Sequence, residues 1–166
     1  MSTSLVSLAS LVNAFNPVTP QLRVAAIIVR DNRILLVEHR KRGQHYWVLP
    51  GGRLEGSETL DAALRRELYE ELSLDTTVGE LVIVSEMLAP DRHVVNLMFH
   101  AQIGEGAEPR LDRADPVLAG WQWVSTDQLP RLDFRPPIAD AVRAVIAEHF
   151  AGRVRLLGDT WKPQSH

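Results

Sequence analysis

The spacing of apolar and polar positions divides this chain into strands and helices before any residue is considered for its chemistry. Arg23–Arg30 and Arg33–Arg40 are dense in Val, Ile and Leu, and Asp31-Asn32 stands between them. That is the pattern of two β segments joined by a polar two-residue turn. Tyr46–Leu49 reads as a short third strand, stopped by Pro50-Gly51-Gly52. From Thr59 to Ser73 the period changes: Leu60, Leu64, Leu68 and Leu72 recur at helical spacing. Ser57 or Thr59 can cap this helix, and Glu58 and Asp61 suit the positive end of its dipole. Val78–Met87 and His93–Ile103 read as two longer strands either side of Ala89-Pro90-Asp91, and Trp121–Val124 as another. Pro136–Phe150 carries apolar residues at Ile138, Val142, Val145, Ile146 and Phe150, a helical pattern with proline in its first turn.

At the N-terminus, Leu5, Leu8, Val12 and Phe15 also recur at helical spacing, which predicts a short amphipathic helix. It can pack on its own domain or on a second subunit, so a homodimer stays open. There is no internal repeat and no linker. The expected architecture is one α+β domain, a mixed β-sheet sandwiched between helices (α/β/α). Its expected limits are residues 21–152, with 1–20 as an N-terminal extension and 153–166 as a C-terminal tail whose sequence fits no single element.

Composition narrows the chemistry. The chain has 166 residues, 45% hydrophobic and 23% charged, which suits one folded domain. It contains no cysteine, so thiolate metal sites, disulfides and cysteine nucleophiles are excluded, and a reducing, cytoplasmic setting is expected. The formal net charge of −3 argues against stable nucleic-acid binding and against an anionic membrane surface. No apolar run approaches the ~20 residues that span a bilayer. A phosphorylated ligand would need a local positive charge, which a metal ion can supply.

The segment Gly51-Gly52-Arg53-Leu54-Glu55-Gly56-Ser57-Glu58 leads into a helix ending Arg65-Arg66-Glu67-Leu68-Tyr69-Glu70-Glu71-Leu72. At about 100° per residue, Glu67, Glu70 and Glu71 fall within an arc of roughly 100°. Glu67 and Glu71 border the leucine stripe, and carboxylates at the edge of a core must be protonated, paired or bound to a cation. Arg66 can reach Glu70 one turn on. Clustered hard oxygen donors suit Mg²⁺ or Mn²⁺. The glycines before the helix let backbone approach a ligand closely, and a carbonyl near Gly52 can join the ligand set.

At these residues the chain resembles the Nudix hydrolase family. The family signature is Gly, five residues, Glu, seven residues, then Arg-Glu-apolar-x-Glu-Glu-x-Gly-apolar. Gly52, Glu58, Arg66, Glu67, Leu68, Glu70, Glu71 and Leu74 fall at its spacing, and Ser73 replaces the final glycine. The resemblance implies a Mg²⁺-dependent hydrolase that cleaves the pyrophosphate of a nucleoside diphosphate linked to another group: an ADP-ribose-like compound, a nucleotide sugar or a (d)NTP. It implies Glu67, Glu70, Glu71 and the Gly52 carbonyl as metal ligands, and Arg66 as the residue orienting the glutamates. Glu58 would support the loop. Apart from the resemblance, Arg40, in a basic run beside the loop that is otherwise a solvated hairpin end, and Arg53 are candidates to meet substrate. The general base stays open among Glu105, Glu108, Asp112, Asp115 and a helix glutamate. The alternative is a non-catalytic Nudix domain that binds a nucleotide-like ligand. An isoprenoid-diphosphate isomerase on this fold depends on a cysteine, which is absent here.

Pro90 follows Leu74 at a spacing that resembles the ADP-ribose pyrophosphatase branch, although turns between strands favour proline anyway. Trp47, Trp121 and Trp123 are candidates for stacking on a base or for core packing. His39, His45, His93 and His100 show no metal-ligand spacing, and Arg40-Lys41-Arg42 is a basic run at a hairpin end.

Overall fold

The computed structural model describes residues 18–111 and 115–161. The chain forms strands β1 (Gln21–Ile27), β2 (Val29–Arg30), β3 (Arg33–Lys41), β4 (Gln44–Val48) and β5 (Gly51–Arg53), then helix α1 (Leu60–Leu72). Strands β6 (Thr76–Ala89), β7 (Arg92–Ile103) and β8 (Leu118–Ser125) follow, then a 3₁₀ turn (Leu129–Arg131), helix α2 (Ala139–Ala147) and β9 (Arg155–Asp159). The N-terminal amphipathic segment expected before Val18 lies outside the described residues.

The strands build two sheets. One is mixed, in the order β5-β1-β7-β6-β9, with β1 antiparallel to β5 and parallel to β7. The other is antiparallel: β3 pairs with β8 on one edge and with β2 and then β4 on the other. The first hairpin is therefore shorter than its apolar runs suggest. Asp31 and Asn32 both have positive φ (50° and 57°), as a tight hairpin turn requires, but only Val29 and Arg30 pair with β3. The chain changes sheets around Ile28, and the rest of the first apolar run belongs to β1.

Alternation along the strands feeds two cores, one on each side. Val24, Ala26, Leu35, Val37 and Phe99 pack with Ala63, Leu64, Leu68 and Leu72 of α1. Ile27, Ile34, Leu36, Ile83 and Met98 pack with Val142 and Val145 of α2. Residues of opposite parity on the same strands thus serve opposite helices, which is the expected α/β/α arrangement.

Three boundaries differ from the sequence reading. Helix α2 begins at Ala139 with Ile138 at its N-cap, so Pro136 precedes the helix instead of opening it. The segment beyond residue 152 is more than a tail, because β9 pairs in parallel with β6 at Ile83, Val84 and Glu86. Strands β6 and β7 extend almost to the Pro90-Asp91 turn.

Helix α1 starts and stops as its sequence directs. The Thr59 hydroxyl accepts from the Ala62 amide at 3.2 Å. At the other end Ser73 is in the left-handed region (φ 53°, ψ 37°), and its amide donates to the carbonyls of Leu68 and Tyr69. An L side chain is strained there by about 1–2 kcal/mol, part of which glycine returns in unfolded-chain entropy. Ser73→Gly should therefore stabilise the protein by about 0.5–1 kcal/mol, read as a higher midpoint in urea at unchanged m-value.

Candidate active site

Strand β5 lies at the edge of the mixed sheet, and α1 returns across it. The approach is close enough that side chains are excluded from the strand. A Cβ at Gly52 would overlap the Glu67 carboxylate, and one at Gly51 (φ 139°) would overlap the Val24 carbonyl. Glycine at these two positions is what lets Glu67 and Glu71 lie against the strand backbone.

Arg66 fixes the connection between strand and helix. Its Nε and Nη2 grip the two oxygens of Glu58 at 3.1 and 2.8 Å. Nη2 also donates to the Arg53 carbonyl at 3.0 Å, and Nη1 to Glu67 and Glu70 at 3.0 and 3.2 Å. Glu58 closes the loop on itself by accepting from the Glu55 amide at 2.7 Å. The Arg66 guanidinium holds the Glu58 carboxyl below its ordinary range, and these carboxylates in turn strengthen the charge on Arg66. Glu58 thus ties the loop to Arg66, and Arg66 ties the loop to Glu67 and Glu70.

The three helix glutamates do not converge equally. Glu71 Oε2 accepts from the Gly51 amide at 3.0 Å, and Glu67 lies against Gly52 with its side chain 14% exposed. Glu70 is 58% exposed and turns along the outside of the helix to Arg66. Among the described residues no group of three or more His, Cys, Asp or Glu side chains forms a closed metal cage. The site presents two converging carboxylates with Glu70 at its margin.

Burial pushes the Glu71 carboxyl up to about 7, with repulsion from Glu67 and Asp115 adding to it and the Gly51 amide and Arg23 opposing it. Burial also raises Glu67, against the pull of Arg66. No cation among the described residues lies within ion-pair distance of Glu71. Two desolvated, mutually repelling carboxylates beside open backbone edge are a donor set suited to a small divalent cation, which typically takes one or two carboxylates and keeps its waters.

Sheet register moves the expected backbone ligand by one residue. Ala26 donates to the Pro50 carbonyl and Leu54 to the Leu22 carbonyl, so the intervening Val24–Gly52 pair falls on a hydrogen-bonded rung. The Gly52 carbonyl is therefore turned inward to β1. Gly51 falls on the alternate rung, and its amide and carbonyl point to the free edge. The amide meets Glu71, and the carbonyl accepts from Arg23 Nη2 at 3.3 Å.

Arg23 is the residue the sequence reading missed. It makes no ion pair among the described residues, yet its charge bears on Glu67, Glu71 and His39. Its signal in the sequence is faint, a single arginine within the apolar run Leu22–Ile28. His39, on β3, is half-buried, its Nε2 has no partner, and burial together with Arg23 lowers its pKa. Among the loop acids, Glu108 is bound to Arg30 at 2.8 Å, Glu105 is exposed, and Asp112 lies outside the described residues. Asp115 is the loop acid whose charge reaches both Glu71 and His39. Arg40 and Arg53 are exposed and make no ion pair among the described residues, although the Arg53 carbonyl is used by Arg66. Trp47 packs in the α2-side core. Trp121 and Trp123 pack in the α1-side core, with the Arg30 guanidinium 4.8 Å from the Trp123 ring centre.

The NUDIX domain family model matches residues 19–145, and the chain belongs to the Nudix family, enzymes that hydrolyse phosphorus-containing anhydrides. Phosphatase NudJ of Escherichia coli K12 is 27% identical over 127 residues, covering 75% of this chain and 82% of that protein. The solution structure of the E. coli ORF135 protein superposes with a TM-score of 0.67 at 27% identity, covering 81% of this chain and 96% of that one. A MutT Nudix hydrolase from Burkholderia pseudomallei is 32% identical with a TM-score of 0.59, covering 68% of this chain and 88% of that one.

Two outcomes follow from this geometry. Because the folded pKa of Glu71 lies near 7 and its ordinary value is 4.5, the folded state holds an extra proton between those values. Without divalent metal, stability should fall as pH rises from about 4.5 to 7, by at most about 3 kcal/mol, and level off above. Glu71→Gln should remove most of that slope in melting curves recorded in EDTA. Separately, Arg66→Lys cannot reproduce the fork and should cost about 2 kcal/mol or more. Hydrogen exchange should then accelerate in residues 53–58 before the sheets are affected.

Proposed function

We propose that this Nudix hydrolase is Mg²⁺-dependent, with Mn²⁺ as a substitute, and cleaves the pyrophosphate bond of a nucleoside diphosphate linked to another group. ADP-ribose-like compounds, nucleotide sugars and (d)NTPs form the candidate class. The observation that carries the reading is the pair Glu67 and Glu71, both desolvated with raised pKa, held against the open edge at Gly51. Glu67 and Glu71 would hold the ion, with the Gly51 carbonyl as the backbone donor in place of Gly52 and Glu70 contributing from the margin.

When bound, the ion would offset phosphate charge and acidify a coordinated water. The protein's own residues do the rest. Arg66 keeps Glu67 and Glu70 oriented through one guanidinium, and Glu58 keeps the loop from moving relative to the helix. Arg23 adds a fixed positive charge beside the acids, suited to a phosphate oxygen, and exposed Arg53 and Arg40 can meet the outer parts of an anionic substrate. The general base stays open among Glu105, Glu108, Asp112, Asp115 and a helix glutamate; Asp115 is favoured because its charge bears on Glu71. No helix among the described residues is long and apolar enough to cross a membrane.

A panel of nucleotide sugars, dinucleoside polyphosphates, ADP-ribose and (oxidised) dNTPs, assayed with EDTA, Mg²⁺, Mn²⁺ and Ca²⁺, tests this directly. Turnover of at least one class should require Mg²⁺ or Mn²⁺, and Glu71→Gln should lower kcat by about 10²-fold or more while the variant stays folded. Metal-stabilised ligand binding without turnover across the panel would favour the non-catalytic nucleotide-binding reading. Full activity in EDTA would leave α1 a solvated acidic face.

A further inference from the structure

After β7 the sequence runs Gly104-Glu105-Gly106-Ala107-Glu108-Pro109-Arg110-Leu111, polar enough to read as an open loop. Its burial says otherwise. Ala107 and Leu111 are half-buried against the α1-side core, Pro109 is buried, and Glu108 and Arg110 between them are exposed. That alternation is the pattern of an extended segment laid along an apolar surface. Two polar attachments fix where it lies. At one, Arg30 Nη2 donates to the Ala107 carbonyl at 2.7 Å and Nη1 to the Glu108 carboxylate at 2.8 Å. At the other, the Arg110 amide donates to the Leu72 carbonyl at 2.8 Å. Leu72 is the last residue of α1, so its carbonyl has no partner within the helix. The strap therefore ties the C-terminal end of α1 to β2 of the antiparallel sheet.

Arg30 is built into its place. It pairs with Arg33, and two residues further along β3 Leu35 pairs with Trp123, so Arg30, Leu35 and Trp123 share one face of the sheet. The guanidinium stands 4.8 Å from the Trp123 ring centre, and the side chain is 28% exposed. A planar group bound through two nitrogens and backed by a ring has little freedom left. Apolar contact alone would let the strap slide along the core, whereas charge-assisted bonds set its register. That register bears most on Glu71. Arg66 bonds to Glu67 and Glu70, but the Glu71 carboxylate is held by the Gly51 amide. Glu71 immediately precedes Leu72, so its direction follows the helical turn that Arg110 holds. We infer that Arg30 is a positioning residue of the metal site: through the strap it fixes the last turn of α1, and with it the Glu71 carboxylate. This rests on the reading that Glu67 and Glu71 hold the ion.

Two measurements on the full chain test this together: Mn²⁺ binding, followed by the electron-spin signal of the free ion, and hydrogen exchange of the Arg110 amide in EDTA. Arg30→Ala should speed that exchange and weaken Mn²⁺ binding by about 10-fold. Arg30→Lys, which keeps a donor but not the fork, should fall between it and the wild type. If Arg30→Ala does not fold, Arg30→Lys and Glu108→Ala carry the same comparison at smaller amplitude. In the Glu71→Gln background, Arg30→Ala should weaken Mn²⁺ binding no further, which a general loss of stability would not reproduce. Unchanged exchange or unchanged Mn²⁺ affinity in Arg30→Ala would overturn the inference, as would full additivity of the two substitutions. Mn²⁺ binding indifferent to Glu71→Gln would instead overturn the metal-site reading, and the role of Arg30 with it.

Discussion

A single guanidinium carries the geometry of the candidate site. Arg66 binds both oxygens of Glu58, the Arg53 carbonyl, Glu67 and Glu70. It thereby fastens the end of β5, the loop and two of the helix carboxylates to one rigid plane. A flexible cation could neutralise the same charge but not set these directions together, because the planar fork loses little freedom for each bond it makes. With the loop fixed, α1 can lie close enough for Glu67 and Glu71 to press on the Gly51-Gly52 backbone. The raised pKa values follow from that closeness. The site is strained electrostatically because it is precise geometrically, and a cation is the natural relief.

The sheet architecture supports this from below. Parity along β1 and β3 sends alternate side chains to two cores, so α1 is held by its own leucine face without involving its acidic border. The acids are then free to be placed by the loop instead of by the core. That division of labour explains how a helix with Leu64, Leu68 and Leu72 fully buried can keep Glu70 in solvent and Glu71 half-buried.

Much of the site was legible in the sequence because it is local. The interval from Gly52 to Leu74 contains the glycines, the arginine and the acids, and helical period alone aligns them. The parts that were not legible depend on contacts across the fold. Whether Gly51 or Gly52 offers its carbonyl outward is decided by which rung of the ladder meets Val24, and no local pattern encodes that. Arg23 lies on a strand distant in sequence from the helix it influences, and nothing in its neighbours sets it apart. Apolar runs predict strands but not their partners, so the division of the first run between two sheets at Ile28 was hidden. The sequence Arg155-Leu156-Leu157-Gly158-Asp159 is too short and too mixed to declare itself, and its strand identity comes from β6.

That last pairing bears on how the protein is made. Strand β6 is 14 residues long and leaves the ribosome well before β9. Until Arg155–Asp159 emerges, the β6 backbone at Ile83–Glu86 presents unpaired amides and carbonyls at the border of the sheet. An open strand of that length is a template for pairing with another chain. A nascent or prematurely terminated product ending near residue 150 would keep every residue of the Nudix signature. Pairing with β9 covers the β6 backbone at Ile83–Glu86 and moves the open edge of the mixed sheet onto a strand of five residues.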